Sequence, residues 1–378
     1  MVVLQLVKTS VGATWAYRQM KELVKLGVVV HVAMPINGLL YQKYLESGVI
    51  VHEVDFSLST LLRSCFSLRR LVTQVKPDII HSHFVITTVI MRLALYNIKI
   101  PRIFQVPGPL HLENYVFRKL EILIARKNID FWIGTCRWTN KCYEANGVDK
   151  ERLYLSYYGS DLNFIKKQKG ILKSSLGLSC DSFVVGMVAY MYAPKWYLGQ
   201  RGGLKGHEDF IDALALLLNK YPNLYGVCIG GAWNNALSYE RKILRYARMK
   251  CGDRLVFLGN RTDVPALYGD MDLVIHPSHS ENLGGAAESL LLEVPTITTD
   301  VGGFPDIIIN NETGILVPSG QPKDIAEAIE LVMNGKIDID SFKIEGKKIA
   351  ESLLNIKNNA KEILHIYTEV KRLCIRNL

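Results

Sequence analysis

The sequence predicts an α/β protein made of two doubly wound, Rossmann-like domains, and three observations lead to that prediction. The chain has 378 residues with 49% hydrophobic content, which is enough for two cored domains. Short apolar runs alternate with helical patterns, and the same rhythm restarts in the second half. A polar segment at 166–170 has the composition of a linker. The predicted domains are therefore residues 1–165 and 171–355.

The first half begins with a predicted strand, loop and helix. Residues 2–7 form an apolar strand, Gly12 lies in the loop that follows, and residues 15–26 form a helix closed by Gly27. Open α/β sheets bind ligands in loops of this kind. The GxGxxG fingerprint of dinucleotide-binding proteins is absent, and Gly12 also fits a simple turn. Further strands are predicted at 28–34, 49–54, 76–83, 102–106, 131–136 and 154–158.

A basic amphipathic helix is predicted at 56–75, where Arg63, Arg69 and Arg70 interrupt the apolar residues. Such a helix either lies on an anionic membrane or, more often, packs its apolar face on a sheet. The net charge of the chain is +9, and residues 1–165 hold 20 Lys and Arg against 12 Asp and Glu. This basic half favours an anionic membrane or a phosphorylated acceptor as partner, with a merely solvated surface as the alternative. No motif for nucleic acid accompanies the charge, so nucleic acid is not a predicted partner.

The second half has its densest cluster of candidate site residues between 272 and 303. An apolar strand, a polar loop, a helix and a second strand follow one another there. The loop holds Glu281, followed by Gly284 and Gly285, and Glu288 lies in the first turn of the helix. Loop N–H groups and the positive end of the helix would meet at one place. With two carboxylates beside it, that place suits a ligand that carries phosphate and several hydroxyls.

This stretch resembles the signature of glycosyltransferase family 4, whose members are retaining enzymes that use nucleotide sugars. The matching residues are Pro277-Ser278, Glu281, Gly284-Gly285, Glu288, Pro295 and Gly302-Gly303. Six residues separate the two glutamates, whereas the family has seven. Glu288 keeps its distance to Pro295, so Glu281 is either displaced by one position or held in a rebuilt loop. The resemblance implies a GT-B fold, in which two Rossmann-like domains face each other across a cleft and a last helix, here 356–378, crosses back to the first domain.

The resemblance also implies roles for individual residues. Lys205 matches a family lysine that pairs with the donor diphosphate, and Arg201 or Lys195 replaces a family arginine that is missing here. His111 is the nearest substitute for a family histidine near the sugar, although a lone loop histidine is more often a polar surface residue. The predicted catalytic residues are Glu281, Lys205 and His111. The predicted donor-binding residues are Gly12, Arg201, Lys205, Glu281, Asn282, Leu283, Gly284, Gly285 and Glu288.

The implied function is transfer of a hexosyl group from a UDP- or GDP-sugar to a glycan or lipid-linked acceptor, with retention, in cell-surface polysaccharide synthesis. Glu288 would bind the ribose hydroxyls and Glu281 the sugar. If Glu281 does not reach the sugar, Asn282 is the nearest candidate to contact it. No cofactor is expected. Asp270 and Asp272 look like a metal-binding Asp-x-Asp, but Asp272 begins a strand and is predicted to be structural, so no metal is expected. A sugar-nucleotide epimerase, a glycan phosphorylase with a pyridoxal lysine and a non-catalytic binder of nucleotide sugars are the alternatives.

The predicted location is the cytoplasm, including peripheral contact at the inner face of the membrane. Seven cysteines are scattered without a CxxC pair, which is typical of a reducing compartment. No apolar run approaches the roughly 20 residues of a membrane span. The first ten residues lack the charged start of a signal peptide and are predicted to form a strand instead.

Overall fold

The computed structural model describes residues 1–160, 167–195, 199–200 and 202–376. The chain divides into two compact units. The first comprises Met1–Asp161 and Leu353–Leu378, and the second comprises Leu162–Ser352. Each has its own parallel sheet covered by helices, which is the two-domain Rossmann-like architecture expected from the sequence. All seven cysteines are free thiols.

The first unit is built on seven parallel strands. They are β1 (Val2–Leu6), β2 (Val29–Met34), β3 (Ile50–Glu53), β4 (Ile79–Ser82), β5 (Arg102–Gln105), β6 (Asp130–Gly134) and β7 (Leu153–Leu155). Their order in the sheet is β3-β2-β1-β4-β5-β6-β7. The central strands β4, β5 and β6 are buried along their whole length, because helices cover both faces of the sheet. The helices are α1 (Thr14–Lys25), α2 (Leu40–Glu46), α3 (Leu61–Val75), α4 (Val85–Ala94), α5 (Leu110–Glu113), α6 (Tyr115–Leu123) and α7 (Arg137–Glu144).

Helix α3 begins five residues later than the sequence predicts. The hydroxyl of Thr60 donates to Asp55 Oδ2 (3.1 Å), and that of Ser64 donates to the backbone oxygen of Asp55 (2.6 Å). These side-chain bonds hold the preceding residues in a turn that competes with the helix. Leu68 and Leu71 of α3 are buried against the sheet, so one face of this basic helix packs on the protein.

The second unit repeats the design with six parallel strands. They are β8 (Phe183–Val188), β9 (Leu224–Ile229), β10 (Leu255–Phe257), β11 (Leu273–His276), β12 (Thr296–Thr299) and β13 (Ile315–Val317), in the order β10-β9-β8-β11-β12-β13. The helices are α8 (Ile171–Ser175), α9 (His207–Leu217), α10 (Leu237–Cys251), α11 (Val264–Leu267), α12 (Ala286–Leu291), α13 (Phe304–Ile307), α14 (Pro322–Met333) and α15 (Ile339–Leu354). Successive strands are added outward from β8 in one direction and from β11 in the other. The edge between β8 and β11 is therefore the switch point, where such sheets bind ligands.

The last two helices of the chain are separated at Asn355. Its side-chain oxygen accepts from the backbone N–H groups of Lys357 (3.1 Å) and Asn358 (3.3 Å). Asparagine is a favoured N-cap, so it starts the new helix α16 (Ile356–Arg376).

Helix α16 belongs to the first unit and completes its core. Ile363 and Val370 are fully buried in the cluster that contains Met20 of α1. The hydroxyl of Tyr367 accepts from Gln5 Nε2 on β1 (2.9 Å) and lies 2.6 Å from His81 Nδ1 on β4. Gln5 and His81, which are buried in the first sheet, thereby gain a hydrogen-bond partner that is distant in sequence.

Candidate functional site

Two adjoining cavities lie at the carboxyl ends of β8 and β11, at the switch point of the second sheet. Val188, Ala189 and Tyr190 line both of them. The first has a volume of about 170 Å³ and is also lined by Met187, Tyr192, Lys205, His276, Ser278, Glu281 and Gly285. The second has a volume of about 260 Å³ and is also lined by Ile229, Gly230, Asn260, Arg261, Val264 and Glu288. Predicted residues from distant segments, Lys205, Glu281, Gly285 and Glu288, therefore meet at one edge of the sheet.

Lys205 is placed by the turn that precedes α9. Gly206 in this turn has a φ of +71°, and a Cβ there would lie 1.9 Å from the backbone oxygen of Pro277. Only glycine allows this approach without strain. The backbone N–H of His279 also donates to the oxygen of Leu204 (2.9 Å), which fixes the turn beside the end of β11. As a result, the Lys205 side chain reaches the first cavity.

Lys205 and Glu281 form an ion pair inside this cavity, with side chains only 17% and 14% exposed. The Lys205 Nζ also lies 5.7 Å from the centre of the Tyr192 ring. Burial raises the pKa of Tyr192 to about 12, and the charge of Glu281 adds to the effect. The phenol is therefore a protonated hydrogen-bond donor at neutral pH. A cation and a hydroxyl donor together suit the oxygens of a diphosphate.

The Glu281 loop is fixed by contacts on both sides. The backbone N–H of Asn282 donates to Glu281 Oε1 (3.1 Å), and that of Gly303 donates to the backbone oxygen of Glu281 (3.3 Å). Added Cβ atoms at Gly284 and Gly302 would lie 2.6 Å from Glu281 Cδ and 1.8 Å from its backbone oxygen. The glycines thus let the chain close tightly around Glu281. In this loop the carboxylate of Glu281 reaches Lys205, with six residues between Glu281 and Glu288.

Leu283 and Gly285 attach the start of α12 to the sheet. The side chain of Leu283 is buried, and a Cβ at Gly285 would lie 2.7 Å from His276 Cε1. His276 Nε2 in turn lies 3.2 Å from the hydroxyl of Ser289 on α12. Burial, and then the charge of Lys205, lowers the pKa of His276 to about 3. The imidazole is therefore neutral at physiological pH and serves as a hydrogen-bonding support.

His207, the first residue of α9, is a second neutral imidazole close to Lys205 in the chain, and it lines neither cavity. It is 1% exposed, and burial lowers its pKa to about 4, with Lys205 as the next cause. Among the described residues lining the first cavity, Lys205 is therefore the one that is positively charged at neutral pH.

The second cavity has groups suited to a nucleoside. Glu288 lies on its wall, and Gly230, with a φ of +120°, lets the loop after β9 approach the one after β8. A Cβ at Gly230 would lie 2.2 Å from the backbone oxygen of Ala189. Asn260 Oδ1 accepts from the N–H of Gly231 (2.8 Å), which orients its amide. The second cavity thus contains the Glu288 carboxylate, which suits ribose hydroxyls, and the oriented Asn260 amide, which suits a nucleobase.

The remaining predicted residues lie elsewhere. Gly12 is exposed in the loop between β1 and α1 of the first unit. His111, also in the first unit, is buried on α5, with its Nε2 3.0 Å from the hydroxyl of Tyr143. Burial lowers the pKa of His111 to about 4, so it is uncharged at neutral pH. Arg201 lies outside the described residues. Lys195 is exposed and does not line either cavity.

Asp270 and Asp272 have structural partners. The carboxylate of Asp270 accepts from the N–H groups of Gly170 (2.6 Å) and Leu172 (2.7 Å) at the start of α8. Asp272 Oδ2 accepts from the N–H of Val184 (2.8 Å). Within the part of the chain that the structure describes, no cluster of three or more His, Cys, Asp or Glu side chains is arranged to hold a metal. None of the helices described there is both long and apolar enough to cross a bilayer.

Sequence reasoning missed Tyr190, Tyr192, His276 and Asn260. One signal could have found them: each ends or follows a strand, at the carboxyl edge where doubly wound sheets bind ligands. Tyr190 and Tyr192 follow β8, His276 is the last residue of β11, and Asn260 comes three residues after β10. Which of these side chains points into a cavity depends on loop packing, which the strand pattern does not contain.

Comparison with known proteins identifies the family. Residues 196–349 match the family described as glycosyl transferases group 1, and residues 12–164 match glycosyltransferase family 4. The capsular polysaccharide biosynthesis glycosyltransferase CapM of Staphylococcus aureus is 27% identical over 351 residues, covering 88% of each chain. The lipopolysaccharide core biosynthesis mannosyltransferase LpsB of Rhizobium meliloti is 26% identical over 172 residues, which cover 44% of this chain and 49% of LpsB.

Solved structures show the same fold along nearly the whole chain. Anabaena HepE in complex with UDP superposes with a TM-score of 0.81 at 18% identity, covering 97% of this chain and 99% of HepE. The sucrose-phosphate synthase of Thermosynechococcus elongatus gives a TM-score of 0.79 at 17% identity, covering 98% and 99%. Both family matches and the two Rossmann-like units agree: the chain is a family 4-like glycosyltransferase with the GT-B fold.

Proposed function

We propose that this glycosyltransferase transfers a hexosyl group, with retention, from a UDP- or GDP-sugar to a glycan or lipid-linked acceptor in cell-surface polysaccharide synthesis. The observation that carries the donor assignment is the Lys205–Glu281 pair in a cavity that adjoins the Glu288 cavity. HepE, which shares the fold, has been solved with UDP and with UDP-glucose. The names of CapM and LpsB support a role in polysaccharide assembly.

In this proposal the nucleoside occupies the second cavity and the diphosphate the first. Glu288 accepts hydrogen bonds from the ribose hydroxyls, and Lys205 pairs with the diphosphate. Tyr192, protonated at neutral pH, donates a hydrogen bond to a phosphate oxygen. Glu281 accepts from hydroxyls of the sugar. The cavities share one wall at Val188 to Tyr190, which gives the donor a continuous path from base to sugar.

The reaction exchanges one bond at the anomeric carbon for another. The bond to the β-phosphate oxygen breaks, and the acceptor oxygen bonds to the same face of the sugar. The acceptor proton passes to the departing diphosphate, so no protein nucleophile is required. Negative charge grows on the diphosphate as it leaves, and Lys205 stabilises that charge from a partly buried position. His276 and His207 are neutral at physiological pH, so they add no positive charge beside the phosphates.

We also propose that the enzyme works in the cytoplasm, in peripheral contact with the inner face of the membrane. Residues 61–127 hold eleven Lys and Arg against three Asp and Glu, which supports attraction to anionic lipid. A lipid-linked acceptor would be presented at that surface.

A panel of nucleotides and nucleotide sugars tests the donor assignment by thermal unfolding. A ligand at 100 times its dissociation constant stabilises the fold by about 2.7 kcal/mol, which raises the midpoint by several degrees. We expect UDP or GDP, and sugars of the same nucleotide, to do so. Absence of any shift across the panel would reject the assignment. Turnover then separates the alternatives: an epimerase converts the donor without an acceptor, and a non-catalytic binder leaves it unchanged.

A further inference from the structure

Helix α6 of the first unit is amphipathic, but its apolar side chains face outward and its charged Glu121 faces inward. Its buried residue is Glu121, which is 1% exposed, whereas Val116, Leu120 and Leu123 are 58%, 53% and 79% exposed. These three are spaced i, i+4 and i+7, so they form one stripe on the outside of the helix. A helix on a protein surface ordinarily turns such a stripe inward.

A buried polar contact explains how α6 is held in this orientation. Glu121 pairs with the guanidinium of Arg92 on α4, and its Oε1 accepts from Trp132 Nε1 (2.9 Å). Arg92 Nη1 also donates to the backbone oxygen of Glu121 (2.6 Å). The other end of the Arg92 guanidinium contacts Asp130 through Nε (3.3 Å). The buried charges are thus paired, and the helix does not need its apolar stripe for attachment.

Helix α3 exposes a second stripe on the same side of the sheet. Leu62 and Phe66 on α3 are spaced four residues apart and are 75% and 74% exposed, and Leu58, in the turn before the helix, is 76% exposed. Strand register places both helices over one face: Leu6 aligns with Ser82, Ser82 with Phe104, and Phe104 with Trp132. Residues of α3 pack on Leu6, and Ile122 of α6 packs on Phe104 and Trp132.

Two arginines connect these helices through the end of α4. Arg69 on α3 donates to the backbone oxygen of Ala94 (3.2 Å), and Arg126, just after α6, donates to that of Tyr96 (2.5 Å). Tyr96 is itself 62% exposed, and the Arg126 guanidinium lies 5.3 Å from the centre of its ring. The two stripes therefore belong to one helical layer. We call Leu58, Leu62, Phe66, Val116, Leu120 and Leu123 the outer apolar face.

The charge around the outer apolar face determines which partner fits it. Among residues 61–127, all of which the structure describes, nine Lys and Arg are not buried: Arg63, Arg69, Arg70, Lys76, Lys99, Arg118, Lys119, Arg126 and Lys127. The range holds three acidic residues, of which Glu121 is paired inside the protein and Asp78 pairs with Lys371. Exposed apolar side chains bordered by cations match a bilayer surface that contains anionic lipid.

A second copy of this chain fits less well. A twofold dimer brings the same patch of both copies together, so the cations of one copy would face those of the other. An anionic bilayer has no such cost. We therefore propose that the outer apolar face, which includes Leu120 and Leu123 on α6, is the surface by which the enzyme docks on anionic membranes. This inference rests on the peripheral contact proposed above and assigns it to particular side chains.

Vesicle sedimentation of the full chain tests the assignment. Wild-type protein is mixed with vesicles of phosphatidylcholine alone or with phosphatidylglycerol added. We expect binding to the mixed vesicles that weakens as salt rises, because a Debye length of about 8 Å at physiological salt shortens further. Leu120→Ser with Leu123→Ser should reduce partitioning by about tenfold or more, since each leucine loses its apolar burial in the interface. Lys119→Gln with Lys127→Gln should reduce it about tenfold or more.

Matched controls come from the second unit. Leu237 and Met249 are 61% and 72% exposed, so Leu237→Ser with Met249→Ser removes comparable apolar area elsewhere. Lys242→Gln with Lys336→Gln removes two charges from exposed positions. Both pairs should leave vesicle binding within about twofold of wild type. Calorimetric binding of UDP or GDP, whichever wild type binds, should be the same in all four variants.

Three outcomes would contradict the inference. If wild type ignores anionic vesicles at low salt, there is no membrane contact to assign. If the α6 variants bind vesicles as wild type does, the membrane contact uses another surface. If light scattering shows a wild-type dimer that the leucine variant converts to monomer, the face is a protein interface. If wild type binds neither UDP nor GDP, that result counts against the proposed donor site and does not affect the conclusion from vesicle binding.

Discussion

The Lys205–Glu281 pair predicts an unusual response to removing one carboxylate. In the free protein Glu281 pairs with Lys205, the residue that we propose binds the donor diphosphate. Nucleotide binding must therefore loosen this pair and bring phosphate charge close to the carboxylate. Glu281→Gln keeps the shape of the side chain and removes its charge. We expect UDP or GDP alone to bind more tightly, because Lys205 no longer has a competing anion.

The magnitude follows from the position of the pair. Two unit charges 4 Å apart interact by about 4 kcal/mol at an effective dielectric constant of 20, most of which desolvation and the remaining hydrogen bond cancel. A net change of about 1 kcal/mol is expected, or roughly a fivefold fall in the Kd of the nucleotide diphosphate. Turnover of the nucleotide sugar should change in the other direction. The sugar loses a charge-assisted hydrogen bond of about 1.5–3 kcal/mol, so kcat/KM should fall by roughly 10- to 100-fold.

Calorimetry with the bare nucleotide and initial rates with the nucleotide sugar measure these two effects separately. Glu293→Gln is the matched control, because Glu293 pairs with Lys347 and Lys167 and lines neither cavity. It should change neither quantity. A Glu281→Gln protein that binds nucleotide more weakly than wild type would refute the competition argument. Normal turnover would show that Glu281 does not contact the sugar, and Asn282 would then be the next residue to test.

Three further outcomes follow from the site. Lys205→Ala should lower kcat/KM by roughly 100-fold or more, since about 3 kcal/mol of charge stabilisation is lost, and unchanged kinetics in a folded protein would exclude Lys205. Gly206→Ala should lower the free energy of unfolding in urea by about 2 kcal/mol more than Gly177→Ala. Both glycines have a positive φ, but only at Gly206 would an added Cβ meet a backbone oxygen, so equal losses of unfolding free energy would contradict this contact. The pKa of His276 is about 3 in the folded protein and 6.5 in the unfolded chain, so between these pH values His276 takes up a proton only on unfolding. Its contribution to the free energy of unfolding is therefore complete above pH 6.5 and declines as the pH falls toward 3. His276→Gln should therefore reduce the loss of unfolding free energy between pH 7 and 5 by about 2 kcal/mol, and an unchanged loss would show that His276 is accessible to protons when folded.

The alternation of strands and helices was enough to predict two α/β domains and most of their strands, but strand β13 (Ile315–Val317) was not predicted. Hydrophobic runs set the strand positions to within a few residues, because parallel strands are buried on both faces. Periodicity alone does not show where α15 ends and α16 begins, since the asparagine cap at Asn355 leaves no glycine or proline in an otherwise helical pattern. The start of α3 was misplaced for a similar reason, as hydroxyl groups around Asp55 form a local turn.

The site was only partly predictable. Lys205 and Glu281 were recognised separately through family motifs, but their pairing across 76 residues depends on how the Gly206 turn meets the end of β11. Tyr192 had no motif, and its orientation depends on the loop after β8. The outward stripe of α6 was likewise hidden, because periodicity identifies an apolar face without saying which way it turns. Here the buried Glu121–Arg92 pair decides the direction.

The contribution of α16 to the first unit has a consequence for synthesis on the ribosome. Residues 1–160 emerge first, yet Ile363 and Val370 of their core are added only after the whole second unit has been made. Until then Gln5 and His81 lack the Tyr367 hydroxyl that bonds them in the finished protein. While roughly 200 further residues are translated at about 5–20 per second, the nascent first sheet therefore lacks the side chains of α16 that cover one of its apolar faces. During those tens of seconds, α1 and its neighbours are the part of the chain most in need of a chaperone.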